Sequence, residues 1–145
     1  MQEENALHHA AASGDLAELK HLLQSGASAT CFDEIDWTPL HHAVRAEQFE
    51  VTRYLLSLGV DVNIQNSDSA GETPLGASIE ECSYQMAKFL IDAGADPRLP
   101  GWMGLNAIDR AKRRSGKEAK ALLVLLARRA GWLDRGESHD DVCND

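Results

Sequence analysis

The stretch WTPLHHAVRAEQF (residues 37–49) decides how the chain is read. Its His-His-Ala triplet also occurs 33 residues earlier, in NALHHAAASGDL (residues 5–16), so His8, His9, His41 and His42 account for four of the six histidines. Paired histidines can mean metal binding or proton transfer. They can also mark an internal repeat, which requires other residues to keep the same phase. Leu7, Leu40, Leu75 and Ile108 do so, at intervals of 33, 35 and 33, and Gly26, Gly59 and Gly94 each follow 19 residues after the first three. A fixed period in this range is the mark of stacked supersecondary units.

Local chemistry gives each unit two helices. Thr38 and Thr73 suit the N-cap position, and Pro39 and Pro74 then fall at the first helical residue, where a missing N–H costs nothing. First helices are expected near 6–13, 39–46, 74–81 and 107–114, and second helices near 16–24, 49–58, 84–92 and 117–130. The second helices carry an apolar face, for example Leu16, Leu19, Leu22 and Leu23. Glycine then ends them. A single unit cannot cover both of its apolar faces, so the units must stack.

The residues Thr38-Pro39-Leu40-His41-His42-Ala43, Thr73-Pro74-Leu75 and the Leu-Leu-x-x-Gly ends with their GASA, GVDVN and GADP tails resemble the ankyrin repeat. The resemblance covers residues 5–131. It implies an all-α solenoid of four stacked helix–turn–helix units with short β-turn fingers. The domain takes in residues 1–131, with units at about 5–35, 36–69, 70–103 and 104–131, and 132–145 form an acidic C-terminal tail. Unit 1, with Asn5-Ala6 for Thr-Pro, reads as one cap, and unit 4, with Asn106-Ala107-Ile108-Asp109, as the other. His8 and His41 take the family's structural histidine position, which hydrogen-bonds in the turn between units. Two extra residues in QNSDSAGE (65–72) lengthen the third finger, and polar content suggests mobility there. The family prefers glycine two residues before the Thr-Pro pair because a positive φ is needed; Asp36 stands where the next units have Gly71 and Gly104.

Several classes of function are disfavoured. A net charge of −9 argues against generic binding to nucleic acid or to an anionic membrane. Residues 110–135 hold nine of the fourteen Lys and Arg, yet no aromatic interleaving suggests a nucleic-acid surface. Cys31, Cys82 and Cys143 are odd in number and far apart, as expected of free thiols. The acidic, polar N-terminus is no secretory signal, and ALLVLLA (121–127) is too short to span a bilayer; both favour a cytoplasmic protein. There is no GxSxG, P-loop, GxGxxG or HExxH motif. Equivalent histidines on stacked units form a row rather than a ligand cluster, so no metal, cofactor or catalytic residue is assigned.

What remains is binding. The resemblance implies contacts from the finger tips and the exposed side of the first helices. On the second finger these are Phe32, Asp33, Glu34, Ile35, Asp36 and Trp37. On the third they are Asp68 and Glu72, and on the fourth Trp102 and Met103. Arg45, Glu80, Glu81 and Arg113 face the groove, with Ala12, Ser13, Ala46 and Arg114 beside them. The aromatic groups are candidate anchors. The carboxylates Asp33, Glu34, Asp36, Glu47, Asp68, Glu72, Glu80 and Glu81 should make this side electronegative and suited to one protein partner with a basic surface. Such a module, a monomer when free, acts by blocking its partner. A compact acidic blocker resembles bacterial immunity proteins that neutralise toxins. The alternatives are a regulator that occludes a kinase or transcription factor, as four-repeat ankyrin inhibitors of cyclin-dependent kinases do, and an adaptor in a larger assembly.

Overall fold

A computed structural model describes residues 2–132. Among them are eight α-helices and no strand: α1 (Gln2–Ser13), α2 (Leu16–Gln24), α3 (Pro39–Arg45), α4 (Phe49–Ser57), α5 (Pro74–Ser78), α6 (Tyr84–Asp92), α7 (Ala107–Ala111) and α8 (Lys117–Arg129). A single 3-10 turn occupies Trp102–Gly104. Odd-numbered helices pack in the row α1–α3–α5–α7, each against its own even-numbered partner for α1–α2, α3–α4 and α7–α8, while α6 packs on α8. This is the all-α stack of helix pairs expected from the period. Of the proposed acidic tail, 133–145 lie outside the described residues.

The phased leucines explain the stack. Leu7, Leu40, Leu75 and Ile108 are all buried, one per unit, as are Leu19, Leu55, Leu90 and Leu122 of the second helices. They form one continuous apolar core through the whole array. Thr73 accepts the Gly76 N–H at 3.0 Å, and Asn106 accepts the Asp109 N–H at 2.8 Å, each stopping the fingers and starting a helix. Gly26, Gly59 and Gly94, with φ of 105°, 91° and 104°, end α2, α4 and α6 in the left-handed conformation that a side chain resists.

Three boundaries differ from expectation. α1 begins at Gln2, because nothing in the polar, proline-free QEEN segment stops it, and the Glu4 carbonyl takes a contact from His8 Nδ1 at 2.6 Å. α5 ends at Ser78, where the Cys82 N–H turns back to the Ser78 carbonyl at 2.8 Å. α7 ends at Ala111, with Lys112 as its C-cap. Gly71 is also not left-handed, unlike Asp36 (φ 61°) and Gly104 (φ 70°). Space explains it instead: a Cβ there would lie 2.9 Å from the Asn66 backbone nitrogen.

Candidate protein-binding surface

The two structural histidines occupy equivalent positions and both reach the backbone just before the next first helix. His41 is fully buried. Its Nδ1 accepts the Thr38 N–H at 3.0 Å, so the ring proton sits on Nε2 and is donated to the Glu72 carbonyl at 2.6 Å. Thr38 Oγ1, 2.9 Å from Nδ1, must then donate its own proton. Burial pulls the His41 pKa down to about 4, which keeps this tautomer neutral at pH 7. His8 Nε2 lies 3.1 Å from the carbonyls of both Trp37 and Cys31, but its Nδ1 faces the Glu4 carbonyl rather than an N–H, so it does not share the His41 donor pattern. Among the described residues no three His, Cys, Asp or Glu side chains are grouped to hold a metal.

Finger 2 (31–37) is built around Asp33. Its Oδ1 accepts the N–H groups of Ile35 and Trp37, both at 3.0 Å, and its Oδ2 lies 2.6 Å from His42 Nε2. Burial pushes this carboxyl up, but the hydrogen bonds from His42 and from the Trp37 and Ile35 N–H groups outweigh it and hold it below its usual range. Asp36 crosses to finger 3, accepting from Asn66 Nδ2 at 2.8 Å and Ser69 Oγ at 2.7 Å. From finger 3, Gln65 Nε2 donates to the Pro100 carbonyl of finger 4 at 3.1 Å. The long third finger is therefore tied on both sides.

These contacts redistribute the expected binding residues. Trp37 is not an open anchor: it is half-buried, stacked on His41 at 5.9 Å between ring centroids and edge-on to His42 at 5.3 Å. Phe32 is half-buried as well. The large apolar groups that do stand open on the fingers are Ile35 (61% exposed), Trp102 (59%) and Met103 (71%). Other aromatics are engaged between helices. Phe49 meets Phe89 edge-on at 6.1 Å, Lys20 Nζ lies 5.0 Å from the Tyr54 ring centroid, and Arg53 covers Phe89.

The expected electronegative face is largely neutralised within the chain. Glu81 pairs with Arg45 at 2.5 Å, and Glu80 lies 3.5 Å from Arg113 and 3.9 Å from Arg110. Arg114 turns inward to the carbonyls of Ile79 (3.0 Å) and Cys82 (2.5 Å). Glu47, left-handed at φ 61°, spends one carboxylate oxygen on the Ser83 N–H at 2.7 Å. Of the acidic residues expected at the surface, only Glu34 and Asp68 are exposed with no ion pair. Charge counting missed this because it does not show which arginines lie one repeat away.

Sequence reasoning also missed Arg110. Glu72 was placed at the surface, but its side chain is only 14% exposed and pairs with the Arg110 guanidinium, itself 13% exposed. Burial pushes the Glu72 carboxyl up, and the Trp102 N–H and Arg110 only partly offset this. A signal did exist: unit 3 carries Gly76 where units 1 and 2 carry histidine.

A model of ankyrin repeats in three copies matches residues 7–101. The chain is 33% identical over 123 residues to the ankyrin repeat and KH domain-containing protein mask-1 of Caenorhabditis elegans, covering 85% of this chain and 5% of that protein. It is 44% identical over 69 residues to protein phosphatase 1 regulatory subunit 27 of Homo sapiens, covering 48% of this chain and 44% of that one. It is 35% identical over 71 residues to the 2-5A-dependent ribonuclease of Mus musculus, covering 48% of this chain and 10% of the enzyme. The chain thus spans less than half the length of these relatives. Ankyrin repeats are in general non-catalytic protein-interaction modules, and no helix among the described residues is long and apolar enough to cross a membrane. The period, the stacked helix pairs and the matched repeats agree, and the chain belongs to the ankyrin-repeat family.

Proposed function

We propose that this chain binds one protein partner through its finger edge and blocks it, without chemistry of its own. The observation that carries the reading is the exposure of Ile35, Trp102 and Met103 on fingers that are hydrogen-bonded side by side. Large side chains left open on a rigid edge suit the anchoring role that a few residues play in most interfaces. Glu34 and Asp68, unpaired beside them, favour a partner whose pocket is apolar and rimmed by Lys or Arg. Asp33, Asp36, Trp37 and Glu72 act in this reading by shaping the fingers. Phe32, Arg45, Glu80, Glu81 and Arg113 flank the contact.

The same reading takes residues 1–131 as one four-unit domain, monomeric when free and cytoplasmic, with 132–145 as an acidic tail. Neutralisation of a basic toxin is one form that blocking would take, and occlusion of a kinase or transcription factor is another. Photo-crosslinking amino acids placed singly at Ile35, Met103 and, as a control, Glu50 on α4 would test the surface. The reading expects Ile35 and Met103 to capture the same protein and Glu50 to capture nothing comparable. Capture from Glu50 alone would move the interface to the second helices.

A further inference from the structure

Finger 4 is held differently from the fingers before it. In units 1 and 2 a histidine bridges to the backbone of the next unit, at the carbonyls of Trp37 and Glu72. The third unit has Gly76 at that position, so the bridge to unit 4 has no imidazole. The Glu72 carboxylate occupies the space: a Cβ on Gly76 would come 3.0 Å from Glu72 Oε2, and one on Gly101 would come 2.1 Å from it. From there Glu72 Oε1 accepts the Trp102 N–H at 2.8 Å and pairs with Arg110 Nη2. The same Arg110 nitrogen donates to the Trp102 carbonyl at 3.2 Å. Both backbone polar groups of Trp102 are therefore gripped by one largely buried ion pair.

The next residue shows what the grip does. Met103 is left-handed at φ 61°, a conformation that costs a non-glycine residue free energy. The other two such residues, Asp36 and Glu47, spend their side chains on hydrogen bonds inside the molecule. Met103 does not; its side chain points to solvent. Around it the turn is closed by the Gly104 N–H on the Gly101 carbonyl and the Gly101 N–H on the Leu105 carbonyl, both at 2.9 Å, while the ion pair holds the residue before it. A buried ion pair is also a weak source of net stability, since desolvation of both charges offsets their attraction, and Arg110 Nε is left buried without a partner. What points to a role in geometry here is that both ends of the pair reach the backbone of Trp102.

We propose that Glu72 and Arg110 are positioning residues: together, between Gly76 and Gly101, they form a clamp that replaces the missing histidine and fixes finger 4 with Trp102 and Met103 presented outward. This deepens the binding reading given above and rests on it for its purpose, but the clamp can be measured on the free protein. Amide hydrogen exchange by NMR reads it directly. In Glu72→Ala and in Gly101→Ala, which wedges the carboxylate aside, exchange at the Trp102 amide should accelerate about tenfold or more, while amides of α3 and α4 should change by less than about twofold. Glu72→Gln, which keeps an acceptor for the Trp102 N–H, should restore most of the protection. If the single variants unfold, Glu72→Ala with Arg110→Gln leaves no lone charge, removes the acceptor and carries the test, with Trp102 expected to exchange faster than wild type and the helices not. Unchanged exchange at Trp102, or equal acceleration throughout the chain, overturns the clamp. Neither result bears on whether finger 4 meets a partner, and loss of the binding reading would leave the clamp standing.

Discussion

Acidification should unfold this protein earlier than its carboxylates require, because of His41. In the unfolded chain its imidazole titrates at 6.5, and in the fold burial lowers this to about 4. Between those values the folded state holds fewer protons than the unfolded one, so stability that is fully present above pH 6.5 is lost as pH falls through the window. For a shift of this size the loss is about 2 kcal/mol between pH 7 and pH 5. Asp33 acts in a lower window: its carboxyl is depressed from 3.8, so its contribution is lost only as pH falls below that value. The interval from pH 7 to 5 therefore separates the two. Urea-unfolding midpoints at both pH values, for wild type and for His41→Gln, give the measurement. Glutamine can still accept from Thr38 and donate toward the Glu72 carbonyl, so the variant should fold and show a pH dependence flatter by about 2 kcal/mol. Coincident pH dependences, or a His41 imidazole that titrates near 6.5 in the folded protein, would refute the reasoning.

Truncating Leu40, which is fully buried in the shared core, to Ala should cost about 2–5 kcal/mol in denaturant unfolding. Leu58→Ala, at an exposed helix end, should cost far less; equal losses would mean that the phased leucines do not define the core. With a basic partner, Glu34→Lys and Asp68→Lys should slow association about severalfold at low salt and lose that effect as screening shortens toward about 3 Å near 1 M. Reversal of Glu80 and Glu81 should matter less, because Arg113 and Arg45 already neutralise them; the opposite ranking by stopped-flow would place the contact in the groove.

The fold was legible because its signals are local and repeated. Thr-Pro starts, Leu-Leu-x-x-Gly ends and a period near 33 each require only neighbouring residues, and the phased leucines follow from them. The binding surface was less legible because it depends on what lies one repeat away. Trp37 reads as an exposed aromatic until His41 and His42 are placed against it. Glu72, Glu80 and Glu81 read as free acids until Arg110, Arg113 and Arg45 reach them across 30 to 40 residues of sequence. Gly101 makes room for a carboxylate from the preceding finger, a need that no local pattern around it shows.

Finger 4 carries the central claim, and one side chain tests it. Once crosslinking has identified the partner, its affinity for Trp102→Ala should be compared with wild type by calorimetry, alongside both melting temperatures. Trp102 is 59% exposed, so its loss should leave melting nearly unchanged. Binding should weaken by about 2 kcal/mol or more, roughly thirtyfold. Unchanged affinity would contradict the account and remove finger 4 from the interface.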